Sequence, residues 1–301
     1  MDAIPVIVNA HSGPDGKQAD AGALAESFAA QGLAVKIVQA EGEAMERELR
    51  TLLAGAPPLL VVGGGDGTLG SAASQLAGSD TTLGILPLGT LNHFARDLGI
   101  PPDTNDAIAV IAAGHAVRVD VGTVDGRVFL NNSSLGLYPT IVNERDRERR
   151  RLRLGKWPAL ARATWLALRH PATFSANVCL PGEDLQRRTP FVFIGNNRYV
   201  LEGFGIGKRE KLDDGVLSIC ILRPKGAFGF LWLGLRALFG RASQEDFEAL
   251  EATELRVESD ARGIEVAADG EVWRSASPVR FGVRPRALKV LVPAGGAGGS
   301  G

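Results

Sequence analysis

The sequence predicts two domains: an N-terminal α/β domain with a parallel sheet, then a C-terminal, mainly antiparallel β-sandwich with helical insertions. Three observations predict this. Up to about residue 120, short β-rich runs alternate with longer helical ones, a pattern that implies a parallel sheet covered on both faces. Beyond that point strands are bounded by Asp-Gly or Gly-Asn turns at 125–126, 195–196, 214–215 and 269–270, which suit hairpins. The chain has 301 residues and 45% hydrophobic content, enough to bury a core in each part.

In order, the elements are a strand in IPVIVNA, a helix in ADAGALAESFAA, a strand in LAVKIV and a helix in EAMERELRTLLAG. They continue with a strand in LLVVGG, a helix near 68–77 and a strand in TLGILPLG. VRVDVGTVDGRVFLNN opens the antiparallel part, which is interrupted by helical insertions near 144–169 and 226–250. ALKVLVP is a last strand, and AGGAGGSG reads as a flexible tail. The domains expected are thus 1–122 and 123–283, with residues 284–293 returning to the first and 294–301 left as tail.

Composition excludes several classes. The 33 basic and 34 acidic residues nearly balance, so no global charge recommends nucleic acid as a partner. Two cysteines without CxxC spacing and four scattered histidines argue against a disulfide scaffold or zinc site, and for a reducing compartment. MDAIPVIVNAHSG reads as a first strand rather than a signal peptide, and no apolar run has the roughly 18 to 20 residues that span a bilayer. The expected location is cytoplasmic.

Chemistry concentrates at LLVVGGGDGTLG, residues 59–70. Strand ends in a parallel sheet open onto the ligand crevice, and glycines there let main-chain N–H groups approach a ligand. The following helix points its positive end at the same place, so phosphate is the natural occupant. Asp66 beside such a cradle would repel phosphate unless a cation lay between, which argues for Mg2+ and a nucleoside triphosphate. GDGTLG matches G-x-G-x-x-G, but the next strand, TLGILPLG, lacks the ribose-binding acid of a dinucleotide site. The next turn, PLGTLNHFAR, and the first-strand turn, NAHSG, lie at the same sheet edge, so Thr68, Thr90 and Asn92 can surround one nucleotide, although each taken alone is more often a helix cap than a ligand.

With NAHSG at 9–13, GGGDGT at 63–68, PLGTLNHFAR at 87–96, FLNNSSLG at 129–136, KLDDGV at 211–216 and ADGEV at 268–272, the chain resembles the diacylglycerol kinase catalytic-domain family. That family includes bacterial lipid kinases and the sphingosine and ceramide kinases, with NAD kinases as more distant relatives. The resemblance implies a nucleotide-binding first domain, a lipid-holding sandwich, and ATP-dependent phosphorylation of a hydroxyl on a diacylglycerol-like or sphingoid lipid. It places ATP on Asn9, Ser12, Gly13, Gly64, Gly65, Asp66, Gly67, Thr68, Thr90 and Asn92, with Glu271 as general base and Asp66 beside it in catalysis. It also implies a structural Mg2+ held by Asp214 and the carbonyls of Lys211 and Val216, although GIGKREKLDDG lacks the family's usual Pro-x-Ala before that loop.

From the residues alone, Glu271 in VAADGEVW is a solvated hairpin glutamate, and KLDDGV an ordinary hairpin turn. The basic run at 145–153 and the apolar run at 226–240 read either as a solvent helix and a core helix or as a peripheral membrane surface. Alternatives to a lipid kinase are a kinase of a soluble acceptor, as NAD kinases are, and a non-catalytic lipid- or nucleotide-binding regulator. A homodimer is one assembly the sequence leaves open.

Overall fold

A computed structural model of the chain describes residues 3–12, 20–136, 174–180, 183–189, 191–202, 205–209, 211–222, 247–259 and 263–295. Gly13, the basic run 145–153 and the apolar run 226–240 lie outside the described residues, as do most of both expected helical insertions.

The first half is built as expected from alternating elements. Strands β1 (Ile4–Asn9), β2 (Val35–Ala40), β3 (Leu59–Gly64) and β4 (Thr82–Pro87) lie in the order β2-β1-β3-β4, all parallel. Helices α1 (Ala21–Ala30), α2 (Gly42–Ala54), α3 (Asp66–Leu76), α4 (His93–Asp97) and α5 (Thr104–Ala113) connect and cover them. β3 and β4 are buried almost throughout, which accounts for their unbroken apolar runs. Asp20 and Asp103 cap α1 and α5 through main-chain N–H groups, and Gly114 ends α5 at φ 69°, a conformation a side chain would strain.

β5 (Ala116–Val124) and β6 (Arg127–Phe129) form the hairpin that leads into the second half. There β7 (Asn132–Gly136), β10 (Phe191–Asn196), β13 (Leu217–Leu222), β14 (Phe247–Ala252), β16 (Ile264–Ala268) and β17 (Glu271–Ser275) make a six-stranded sheet in the order β14-β13-β10-β7-β16-β17. β11 (Tyr199–Glu202) and β12 (Gly205–Arg209) form a separate ribbon. The helical insertion expected near 226–250 is corrected at its end: Phe247–Ala252 pairs antiparallel with β13, because FEALEA sits beside a buried strand whose open edge it completes.

The last strand is longer than ALKVLVP suggests. β18 (Val279–Leu291) pairs with β5 along both of its halves, with a register shift between Arg284 and Leu288. Its first half also pairs antiparallel with β15 (Glu254–Glu258), and its second meets β4 in parallel at Val290. One ten-stranded sheet therefore runs β2-β1-β3-β4-β18-β15-β8-β9, with β5 and β6 branching from β18, where β8 is Phe174–Leu180 and β9 Glu183–Thr189. The mixed part of this sheet packs on the six-stranded sheet. Val124, Phe129, Val257 and Phe281 from one face Leu135, Val192, Ile194 and Val266 from the other in a single core. A second core, including Ile7, Leu60, Val62, Leu69 and Leu86, fills the parallel half.

Candidate active site

Three strand ends meet where the sequence places the nucleotide. Asn9, closing β1, donates from Nδ2 to Thr68 Oγ1 at 3.2 Å, and its own Oδ1 accepts the His11 N–H at 3.1 Å. Thr68 leans over Gly64, where a Cβ would come within 2.6 Å of the threonine side chain. Gly65 and Gly89 bring the first and second glycine turns into main-chain contact, and a Cβ on Gly89 would collide with Gly65 Cα. A Cβ on Gly67 would meet nothing. The run of glycines thus has two causes: Gly64 and Gly89 are demanded by the protein's own packing, while Gly67 leaves space in the cleft.

Asp66 has a partner the sequence does not reveal. Its carboxylate accepts the N–H groups of His93 and Phe94, each at 3.1 Å, and so caps α4 from another turn. The carboxylate beside the glycine turn thus has a structural task as well, capping α4, in addition to the charge it brings to that turn. Asn92 is buried at φ 50°. Its side chain accepts the Gly89 N–H and donates to the carbonyls of Pro87 and Gly89, so its amide shapes its own turn.

Around these turns lies a cleft of about 540 Å3 lined by Asn9, Ser12, Gly65, Gly67, Thr68 and Thr90, with Met45 and Glu46 of α2 and with Glu271 from the opposite sheet. A second cleft, about 630 Å3, shares Glu46, Gly67, Ser71 and Glu271 with it and continues past Arg50, Arg127, Trp273 and Arg284. The Arg127 guanidinium lies 4.8 Å from the Trp273 ring, a cation–π contact in that wall. Glu271 stands where the two clefts meet, exposed, at the start of β17.

A tight turn presents it there. Asp269 at φ 45° and Gly270 at φ 90° join β16 to β17, pairing Ala268 with Glu271. The Asp269 carboxylate turns away to accept the N–H groups of Leu130, Asn131 and Asn132, at 2.6, 2.9 and 3.2 Å. Burial pushes its carboxyl above the usual aspartate range, opposed by these three N–H groups and by Arg209. Asp269 thus lines the second cleft while committed to main chain, and Glu271 is the acid of this hairpin that lines both clefts.

The loop expected to hold a structural cation is far from bare of partners. Asp214 donates its N–H to Asn197 Oδ1 at 3.0 Å, and its carboxylate lies 3.6 Å from Arg198. The Val216 carbonyl accepts the Asn197 N–H at 2.9 Å, and the Asp213 carboxylate lies 3.8 Å from Arg286. Buried Asp120 accepts the N–H groups of Gly215 and Arg286, both at 2.7 Å. Its carboxyl is pushed up chiefly by burial and further by Asp213 and Asp214, while the two N–H groups pull it down. Among the described residues no three His, Cys, Asp or Glu side chains converge on one point, so a cation here would need main-chain carbonyls such as those of Lys211 and Val216.

Sequence reasoning missed Glu46, whose helix EAMERELR reads as an ordinary charged face and pairs Glu46 with Arg50 at 3.9 Å. It also missed Arg209, which is buried behind the site. Among the described residues no helix is long and apolar enough to cross a membrane.

Comparison with known proteins agrees with the geometry. Residues 3–124 match the diacylglycerol kinase catalytic domain, and residues 140–292 the YegS C-terminal NAD kinase beta sandwich-like domain. A probable lipid kinase YegS-like protein of Pseudomonas aeruginosa is 33% identical, with 98% of this chain and 96% of that protein aligned. One of the same description from Pseudomonas syringae pv. tomato is also 33% identical, over 87% and 84%. Among solved structures, a putative diacylglycerol kinase from Bacillus anthracis superposes with TM-score 0.73 at 24% identity, covering 97% of this chain and 98% of that one. A second, described as a diacylglycerol kinase from the same organism, gives 0.69 at 21%, over 97% of each chain.

Proposed function

Because the chain belongs to the YegS-like probable lipid kinase family, with that family's diacylglycerol kinase catalytic domain, we propose that it transfers the γ-phosphoryl group of ATP, with Mg2+, to a hydroxyl of a diacylglycerol-like or sphingoid lipid. The observation that carries this reading is Glu271, an exposed carboxylate where the glycine-turn cleft and the arginine-lined cleft join.

In this reading the triphosphate lies over Gly65, Gly67 and Thr68, with Asn9, Ser12 and Thr90 around it. The open space at Gly67 admits the phosphates to the N–H groups at the start of α3, whose positive end favours their charge. The acceptor's headgroup occupies the second cleft. Glu271 takes the proton of the acceptor hydroxyl as that oxygen bonds to the γ-phosphorus; the bond to the β–γ bridging oxygen breaks and ADP leaves. Asp66 supports the site by holding α4 and, through it, the turn that carries Thr90.

Mg2+ would neutralise charge on the triphosphate, and oxygen donors suit it. Of the two acidic side chains lining the nucleotide cleft, Glu46 fits that need, which leaves Glu271 free to take the proton. The loop at Lys211, Asp214 and Val216 offers oxygen donors near three carboxylates, which fits a second, structural ion. An enzyme of this kind works at a membrane surface while remaining peripheral to it.

The test is transfer of labelled phosphate from ATP to a panel of diacylglycerol, monoacylglycerol, phosphatidylglycerol, sphingosine, ceramide and NAD. Labelling of a lipid supports the reading. Labelling of NAD alone would make the protein a soluble-acceptor kinase, and labelling of none, with intact ATP binding, a regulator.

A further inference from the structure

Arg209, at the end of β12, lies outside both clefts and is 3% exposed. Its Nε donates to Asp97 Oδ2 at 2.7 Å, Nη1 to the Leu130 carbonyl at 2.6 Å, and Nη2 to Asn131 Oδ1 at 2.8 Å. The Tyr199 ring lies 5.4 Å from the guanidinium carbon, and the Tyr199 hydroxyl donates to the Asn131 carbonyl at 2.8 Å. Every nitrogen of the guanidinium thus has a partner, Nη1 also reaching the Asn196 carbonyl at 3.3 Å. Taking an arginine out of water is costly, and an apolar chain of similar length would fill the same volume more cheaply, so packing alone does not explain it.

What the group touches does. Asp97 is the last residue of α4, whose first two N–H groups are held by Asp66 of the glycine turn. Residues 130–132 give their N–H groups to Asp269, two positions before Glu271. That short peptide is therefore gripped from both sides, the guanidinium on its acceptor oxygens and the Asp269 carboxylate on its donors. From Asp66 to Glu271 the path is continuous: Asp66, α4, Asp97, Arg209, residues 130–131, Asp269, Glu271. Two planar, charge-assisted contacts at opposite edges of one guanidinium fix separation and angle together, which a lysine's single charge cannot do.

We propose that Arg209 is a positioning residue, setting the Glu271 hairpin against the nucleotide turn so that base and phosphate-binding surface stand at working distance. The proposal rests on the reading of Glu271 as the base. A displacement of about 1 Å at a reacting centre can cost on the order of 100-fold in rate, so loosening the clamp should lower kcat more than it weakens ATP binding.

Arg209→Met, Arg209→Lys and Asp97→Asn, each confirmed folded by circular dichroism at the assay temperature, would be compared with the unaltered protein in two measurements. In the first, steady-state kinetics on the lipid found by the panel, Arg209→Met should lower kcat at least tenfold with the KM for ATP within about twofold. Arg209→Lys should be intermediate, and the effects of Arg209→Lys and Asp97→Asn should be less than additive. In the second, hydrogen exchange without substrates, amides at 130–132 and 269–271 should lose protection in Arg209→Met while those of β3 and β4 keep it. Should Arg209→Met fail to fold, the other two variants decide by the same criteria. Unaltered kcat with only a lowered melting temperature, or unaltered exchange at 269–271, would overturn the proposal. If Glu271→Gln keeps full kcat, the base reading fails instead, and the exchange data still judge the clamp.

Discussion

Two Asp-Gly pairs bound the site, Asp66-Gly67 on the parallel side and Asp269-Gly270 on the antiparallel side, and in both the carboxylate grips main-chain N–H groups of a distant segment. Asp66 takes two such groups, Asp269 three. The difference lies in what they grip. The segment held by Asp66 is the start of a helix, which brings its own partial positive charge. The segment held by Asp269 is irregular peptide without a dipole of that kind, and there Arg209 supplies a full positive charge behind it. One turn is stabilised by secondary structure, the other by a buried ion network, so the second should be the more fragile.

The largest effect should come from the residue that the second turn presents. Glu271→Gln keeps size and hydrogen bonding but cannot accept a proton, so kcat should fall by roughly 10² to 10⁴ with ATP affinity nearly unchanged, as steady-state kinetics and calorimetry would show. A fall in ATP affinity with unchanged kcat would move Glu271 to the nucleotide's side of the comparison. On the first turn, Gly89→Ala should abolish measurable ATP binding by calorimetry while circular dichroism shows the fold retained. Its Cβ would drive the two glycine turns apart.

The comparison itself is tested by matched amides. Asp269→Asn turns an NH2 group toward at least one of the three N–H donors and leaves Arg209 with less counter-charge, so it should cost about 2 to 4 kcal/mol in chemical denaturation. Asp66→Asn keeps one of the two acceptors on the first N–H groups of a short helix and should cost about 0.5 to 1.5 kcal/mol. Equal losses would show that helix and irregular peptide are held alike.

The smallest effect concerns Asp120, a third carboxylate on main-chain N–H groups but with Asp213 and Asp214 for neighbours. Its pKa is raised above 3.8 in the folded protein, so the fold binds its proton more readily than the unfolded chain does. Its contribution is therefore greatest below that value and declines as pH rises from about 4 through the raised pKa. Asp120→Asn should lower stability overall yet flatten that decline, which melting curves between pH 4 and 6 would record.

Much of this was legible in the chain. The strand-end turns, the parallel order implied by alternation, and the hairpin at 269–270 follow from glycine placement and local periodicity, which act over a few residues. The partners of the polar side chains do not. The sequence places Asp66 beside the glycines, but its grip on main-chain N–H groups 27 and 28 positions away leaves no local trace. Asn92 is likewise adjacent to the second glycine turn in sequence, while its left-handed backbone and the bonds of its amide to Pro87 and Gly89 show only in the structure. Arg209 fell where the family's Pro-x-Ala is missing and registered as a departure, since no local pattern distinguishes a buried arginine from an exposed one. The extent of β18 was hidden by Arg284 to Arg286, a charged stretch at its register shift that reads as the strand's beginning.

That strand has a consequence for how the protein is made. β4 and β5 both pair with β18, which follows them across the whole six-stranded sheet, so the phosphate-binding half keeps an unfilled sheet edge until that distant strand is added. A chain broken off before residue 291 would contain every residue of the nucleotide cleft's first wall and still lack the strand that closes its core. The nucleotide-binding half is therefore not a self-contained module: its sheet is closed only by a strand that the chain supplies after all six strands of the other sheet.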